Sequence, residues 1–206
     1  MMEIILCFGG ACERAGARMN FFKKIALLLA LSCVLSLPAQ AEETWYEEAW
    51  YEEAGRRFTE TWKEGQIEAY VPFLSWHMPF AYTSEQISSY NQSPKGFGLG
   101  KGRYNSSGNY EGLYGMVFQD SHSQPEYLIG YAWIPTWPIK DTDLKVGVGI
   151  VGFITARADT ANYTPFPGVL PVASLSIARF SVQAAYVPGG NGYGNVLFAW
   201  TKWTFE

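Results

Sequence analysis

The sequence is limited first by what it lacks. Its three cysteines, Cys7, Cys12 and Cys33, all lie near the N-terminus. The remainder of the chain therefore has no disulfide and no thiol chemistry. Two histidines, His77 and His122, are the only imidazoles. No metal-ligand cluster, phosphate-binding loop or G-x-S-x-G elbow can be read from the spacing. The net charge of −4 argues against nucleic acid as a partner. No apolar run reaches the roughly twenty residues of a spanning helix. Beyond residue 68 there are no helices to cover a parallel sheet on both faces.

The longest apolar run, residues 25–37, follows Lys23 and Lys24 and is closed by Ala39-Gln40-Ala41. A basic start, a short apolar middle and a small-x-small end make a secretory signal peptide cut after Ala41. That signal is complete from Met19, the expected true start, so residues 1–41 form no part of the fold. A lipidated Cys33 is the alternative, but Ala30-Leu31-Ser32 lacks the aliphatic residue expected three positions upstream. The exported chain from Glu42 keeps all 8 Trp and all 13 Tyr. That load suits the aromatic girdles of an outer-membrane barrel.

Residues 42–68 read as an amphipathic helix carrying a tandem WYEEA at 45–49 and 50–54. Tyr46, Trp50, Ala54, Phe58 and Trp62 recur every fourth residue along one slowly drifting face. Two placements fit this stripe: against headgroups at a barrel rim, or docked on the protein.

From residue 69 the pattern is strands and turns. Strands are expected near 70–82, 96–104, 110–121, 126–137, 143–157, 169–177, 179–188 and 194–205. The most informative is 110–121, YEGLYGMVFQDS, which is apolar on both faces in its middle. Without crossover helices, lipid outside and an apolar pocket inside bury both faces. The expected fold is all-β, an eight-stranded antiparallel transmembrane barrel over residues 69–206 preceded by the amphipathic helix. Gly98, Gly100, Gly112, Gly115, Gly130, Gly147 and Gly149 fall within these strands. They predict an apolar slot the width of an acyl chain, the alternative being relief of barrel curvature. Pro72, Pro94, Pro171 and Pro188 lie in or beside strands. A proline cannot donate to a ladder, so it marks either a simple strand end or a place where neighbours part.

Candidate catalysts are few. His77 lies in the first strand, and Asp120 and Ser121 end the third, directly before His122. A His, an Asp and a Ser brought together can activate a hydroxyl. Adjacent Asp120 and Ser121 reach one site only if the chain turns there, and Asp-Ser is equally an ordinary turn signal.

The stretch from Tyr70 to the C-terminus resembles the lipid A palmitoyltransferase family, PagP. The shared pieces are Tyr70-Val71-Pro72 with Trp76-His77, Gly112-Leu113-Tyr114, and Phe118 with Asp120-Ser121. Further pieces are Gly130-Tyr131 leading to Thr136-Trp137, Thr155-Ala156-Arg157, and Leu170-Pro171 with Ala173-Ser174. The last are Tyr186 with Pro188-Gly189, and Gly194-Asn195-Val196 with Phe198-Ala199-Trp200. The resemblance implies a monomeric barrel in the outer membrane of a Gram-negative cell. It implies movement of a palmitoyl chain from the sn-1 position of a phospholipid donor to a hydroxyl of a hydroxyacyl chain on a lipid A acceptor. No cofactor and no metal is implied. The family's catalytic residues fall on His77, Asp120 and Ser121. Its lateral openings fall on Pro72/Pro94 and Pro171/Pro188, and the floor of its acyl pocket, often glycine, on Ala132. The final Phe205-Glu206 departs from the family's usual terminal aromatic. A surface lipid A deacylase or a non-catalytic eight-stranded barrel are the competing readings.

Overall fold

Alternating side chains and short turns close the chain into a ring of antiparallel strands. The computed structural model describes residues 40–206. The Met19 start and the signal segment lie outside them, except that Gln40 and Ala41 open the first helix. Helix α1 spans Gln40–Glu64, and its part from Tyr51 onward belongs to the same compact unit as the barrel. Strand β1 is Gln66–His77, and a short helix α2, Ser84–Ser89, follows it. The other strands are β2 Gly96–Tyr104, β3 Tyr110–Gln119, β4 Pro125–Ile134, β5 Thr136–Pro138 and β6 Leu144–Arg157. Then come β7 Phe166–Ile177, β8 Phe180–Val187 and β9 Val196–Thr204. Both β4 and β5 pair with β6, so they are one stave interrupted at Pro135, where the missing N–H breaks the ladder. The eight staves close through β1 with β9. Among the described residues, no helix is long and apolar enough to cross a membrane. The outward positions of the strands are apolar: Phe97, Leu99, Ile129, Val148 and Val169 are all more than half exposed.

Period two holds in every stave except at one place in β1. Glu68, Tyr70 and Pro72 face inward, opposite Thr204, Lys202 and Trp200 of β9. The register then slips between Pro72 and Leu74, leaving Phe73 as an extra residue. This bulge reverses the phase, and Ser75 and His77 face inward opposite Phe198 and Val196. Strict alternation from Tyr70 would have aimed His77 outward.

The interior has two halves. Toward the start of β1 it is filled by a polar knot. Buried Glu68 accepts hydrogen bonds from Tyr70 (2.6 Å), Tyr110 (2.5 Å) and Thr204 (2.9 Å), and pairs with buried Lys202. Gly102 is required beside it, because a Cβ there would strike the Glu68 carboxylate at 2.3 Å. Toward the His77 end, apolar side chains surround an open cavity.

The expected glycine-lined slot needs correction. A Cβ at Gly98 would meet Met116 at 2.3 Å, and one at Gly100 would meet the Leu113 carbonyl at 2.3 Å and Tyr114 at 2.7 Å. At Gly149 it would meet the Trp133 carbonyl at 2.1 Å. These glycines make room for neighbouring strands, so β3 can lay its large inward residues across β2. They do not form the cavity wall.

The helix placement also resolves. The polar side of α1 docks on the barrel, where Glu111, completely buried, is held by Arg103 (2.9 Å), Arg57 (3.3 Å) and Asn105 (2.9 Å). Arg103 also reaches Glu60 at 2.5 Å and Glu64 at 3.0 Å. Tyr51, Phe58 and Trp62 point away, each more than half exposed. The stripe therefore faces the surroundings and not the barrel, as an interfacial helix requires. The side chains of the repeat up to Trp50 lie outside those described.

Lys202→Met strands the Glu68 carboxylate in the interior, at a cost of about 3–5 kcal/mol. The midpoint of urea unfolding in detergent is expected to fall accordingly. Adding Glu68→Gln, which removes the stranded charge, is expected to restore most of the loss.

Candidate active site

The site is assembled where β1 and β3 end. β3 stops at Gln119, and the chain turns at once. The Asp120 N–H donates to the Gln124 carbonyl (2.8 Å), and Ser123 adopts a left-handed φ of 62° and donates to the Asp120 carbonyl (3.0 Å). Asp120 Oδ1 accepts from the N–H groups of His122 and Gln124, both at 2.8 Å. This turn is the one the adjacent pair requires. It delivers Ser121 Oγ to 3.0 Å from His77 Nε2. The Ser121 carbonyl is pinned by the Asn91 N–H at 2.8 Å.

Asp120 does not complete a triad. Its buried Oδ2 makes no hydrogen bond and lies 3.8 Å from Arg157. His77 Nδ1 is likewise buried without a hydrogen bond. The structure thus joins His77 and Ser121 directly, while Asp120 shapes the turn that presents Ser121.

Above the turn one cation, Arg157, faces three carboxylates. Arg157 forms a two-pronged pair with Asp159 at 2.6 and 2.8 Å and lies 3.8 Å from Glu126. Although no metal-ligand cluster is legible from spacing, the fold brings ligand atoms of Asp120, His122 and Asp159 within 4.8 Å of one another. Both carboxylates already face the Arg157 guanidinium, which supplies the positive charge there.

Below His77 and Ser121 opens a cavity of about 410 Å³, walled by Met116, Phe118, Leu128, Phe153 and Phe198. Its deepest lining residues are Tyr114, Val151 and Trp200. Five steps of β3 lead from Gln119 down to Tyr114. At about 3.3 Å per residue and a tilt of about 40°, that is a depth of about 13 Å below the turn. An extended acyl chain advances about 1.3 Å per C–C bond, so about ten bonds fit along this stretch. Ala132 faces inward and is buried, in register with Gly112 and Val151. It lies beside Val151, two residues along β4 from Gly130, the register partner of Tyr114.

Both proline pairs stand where strands part. Pairing of β1 with β2 ends at Tyr70↔Gly98, leaving the stretch from Val71 to His77 without a β2 partner. Pro72 and Pro94 flank that gap. Pairing of β7 with β8 ends at Val172↔Ala185, and Pro171 and Pro188 flank that one.

A barrel closed at one end by a polar knot, open between staves at the other, and carrying a His–Ser pair over an acyl-sized cavity has matches among known proteins. A family model described as antimicrobial peptide resistance and lipid A acylation protein PagP matches residues 57–202. The chain belongs to the PagP family. A lipid A acyltransferase PagP of Methylobacillus flagellatus is 39% identical over 177 residues, 85% of this chain and 95% of the relative. One of Laribacter hongkongensis is 44% identical over 143 residues, 69% of this chain and 68% of the relative. One of Salmonella typhi is 37% identical over 188 residues, 90% of this chain and 96% of the relative.

Two PagP-family residues were not singled out from the sequence. Tyr82 and Tyr90 line the cavity mouth beside His77. Burial, with a smaller push from Tyr90, raises the Tyr82 hydroxyl above its ordinary pKa and keeps it a donor. It donates to the Gly194 carbonyl at 2.5 Å. No spacing signal marks either residue, because a loop brings them to His77. Only the Thr83-x-x-Gln86 capping box announces the short helix between them.

Asp120→Asn preserves the Oδ1 acceptor, so the turn is expected to survive and acyl transfer to stay within about tenfold. Asp120→Ala releases the turn and is expected to lose about a hundredfold or more. Initial rates of both folded variants check this; equal loss in the two would assign the requirement to the charge itself.

Proposed function

We propose that the chain is an outer-membrane acyltransferase that moves a palmitoyl or similar long chain from the sn-1 position of a phospholipid to a hydroxyl on a hydroxyacyl chain of lipid A. The carrying observation is His77 Nε2 at 3.0 Å from Ser121 Oγ, over an apolar cavity of about 410 Å³ inside the barrel. A dead-end slot binds one saturated tail along its length and leaves the ester carbonyl at the mouth. Family membership and the relatives' printed names support the same reaction.

The chemistry is a direct transfer. The acceptor hydroxyl gives its proton to His77 Nε2 as its oxygen bonds to the donor carbonyl carbon. The Ser121 hydroxyl, fixed by the turn, hydrogen-bonds the reacting ester. The tetrahedral intermediate collapses with rupture of the bond between the acyl carbon and the glycerol sn-1 oxygen, and His77 returns the proton to that departing oxygen. The products are a lysophospholipid and an acylated lipid A. The β1/β2 and β7/β8 gaps serve as lateral entrances from the bilayer, with Pro72/Pro94 and Pro171/Pro188 preventing the ladders from closing. The protein acts as a monomer, exported after cleavage behind Ala41.

Ala132, beside Val151 and facing inward, forms the slot's floor. Ala132→Met is expected to push the floor upward and shorten the preferred donor by a few carbons, at about 1.3 Å per bond. Competition among phospholipids of graded chain length reads this as a profile, and an unchanged profile removes Ala132 from the floor.

His77→Ala and Ser121→Ala are each expected to lower transfer by about 10²–10⁴-fold while the barrel still shows heat-modifiable mobility. His122→Ala is expected to do little, since the turn uses its backbone N–H. Mass spectrometry of lipid A from cells with and without the protein decides the reaction class. A gained acyl chain is the expected result, a lost one indicates a deacylase, and no change indicates a non-catalytic barrel.

A further inference from the structure

A base must hold one ring orientation to receive a proton, yet no side chain bonds His77 Nδ1, and its one backbone neighbour is Ser75 of its own strand. Two tyrosines touch the ring instead. The Tyr90 ring centre lies 4.6 Å away with the planes 35° apart, and Tyr82 meets the imidazole edge-on at 5.2 Å and 84°. The tyrosines also meet each other at 5.7 Å and 88°, and Tyr90 in turn meets the His122 ring at 5.5 Å and 79°. Each tyrosine is anchored. The Tyr82 hydroxyl holds the Gly194 carbonyl (2.5 Å), and Tyr90 caps α2 with its N–H on the Ile87 carbonyl (3.3 Å). The loop carrying both is tied to the rest of the site. The Met78 N–H donates to the Asn195 carbonyl (3.1 Å), and the Asn91 N–H donates to the Ser121 carbonyl (2.8 Å).

We propose that Tyr82 and Tyr90 are positioning residues that take the place of the carboxylate Asp120 does not offer. They hold His77 with Nε2 toward Ser121, and the Tyr90 face stabilises the imidazolium. This rests on the transferase reading. When the acceptor hydroxyl passes its proton to Nε2, the positive charge develops against the Tyr90 π-system. It disappears when the proton leaves with the glycerol oxygen. A desolvated cation–π contact of this kind is worth about thirtyfold in rate, concentrated in kcat because the charge exists only after binding.

The experiment measures kcat and KM for both lipids on the full-length exported chain folded in detergent, with heat-modifiable mobility as the folding control. Tyr90→Leu is expected to lower kcat about thirtyfold with both KM values within about twofold. Tyr90→Met substitutes for it if the leucine variant does not fold. Tyr90→Phe is expected to return kcat to within about threefold, because the ring and not the hydroxyl acts. Tyr82→Phe, which loses only the Gly194 bond, is expected to cost about fivefold. In a His77→Gln background, Tyr90→Leu is expected to change the residual rate by less than about twofold, because both act through the same proton. The inference is overturned if Tyr90→Leu keeps full kcat, if Tyr90→Phe is as poor as the leucine variant, or if the loss persists undiminished without His77. Full transfer by His77→Gln would remove His77 as the base, and this inference with it, while leaving the transferase reading standing; no transfer by the unsubstituted protein would overturn the transferase reading itself.

Discussion

Ring closure by backbone hydrogen bonds is the constraint on which everything else depends. Once eight staves are joined edge to edge, every second residue is committed to a narrow interior. Each must be packed, paired, or left beside an empty space. This barrel does all three in order along its axis. Glu68, Lys202 and two tyrosine hydroxyls neutralise one another at one end. Aromatic and aliphatic side chains meet in the middle. At the far end a cavity remains because the staves separate. The polar knot gives the cavity a bottom, and separation of the staves gives it entrances. Glycine serves the packing step, allowing Tyr114, Met116 and Phe118 of β3 to lie across β2.

The His–Ser pair follows from two local departures from regularity. The bulge at Phe73 re-aims His77, and the turn after Gln119 re-aims Ser121. Neither strand in ideal geometry would bring its residue to the other. The turn lies at the end of β3, and the bulge lies inside the β1–β9 ladder, on the stretch of β1 that β2 no longer pairs. Both departures cost ladder bonds, and both stand where the hydrogen-bond network of the ring is already incomplete.

The helix illustrates the same economy outside the barrel. Its charged side meets a completely buried Glu111 through two arginines, and its aromatic side is turned away. Docked through its polar side, the helix leaves Phe58 and Trp62 exposed. The barrel's outward face is likewise apolar where it is most exposed.

By itself, the sequence determined the class of fold, because alternation, turn residues and the lack of crossover helices leave few other ways to bury strands apolar on both faces. It also determined the candidates: with two histidines in the chain and one Asp-Ser at a strand end, few reactive groups remained, and the resemblance to PagP selected His77, Asp120 and Ser121. What only the tertiary structure decided is where those side chains point. A single extra residue at Phe73 inverts the phase of β1, and no periodicity announces it because the register is set by β9, far away in sequence. The orientation of Asp120 toward Arg157, the ring contacts of Tyr82 and Tyr90, and the place of Ala132 beside Val151 likewise depend on partners from other strands and loops. Local sequence fixes periods and turns, whereas the phase between distant segments is a property of the closed ring.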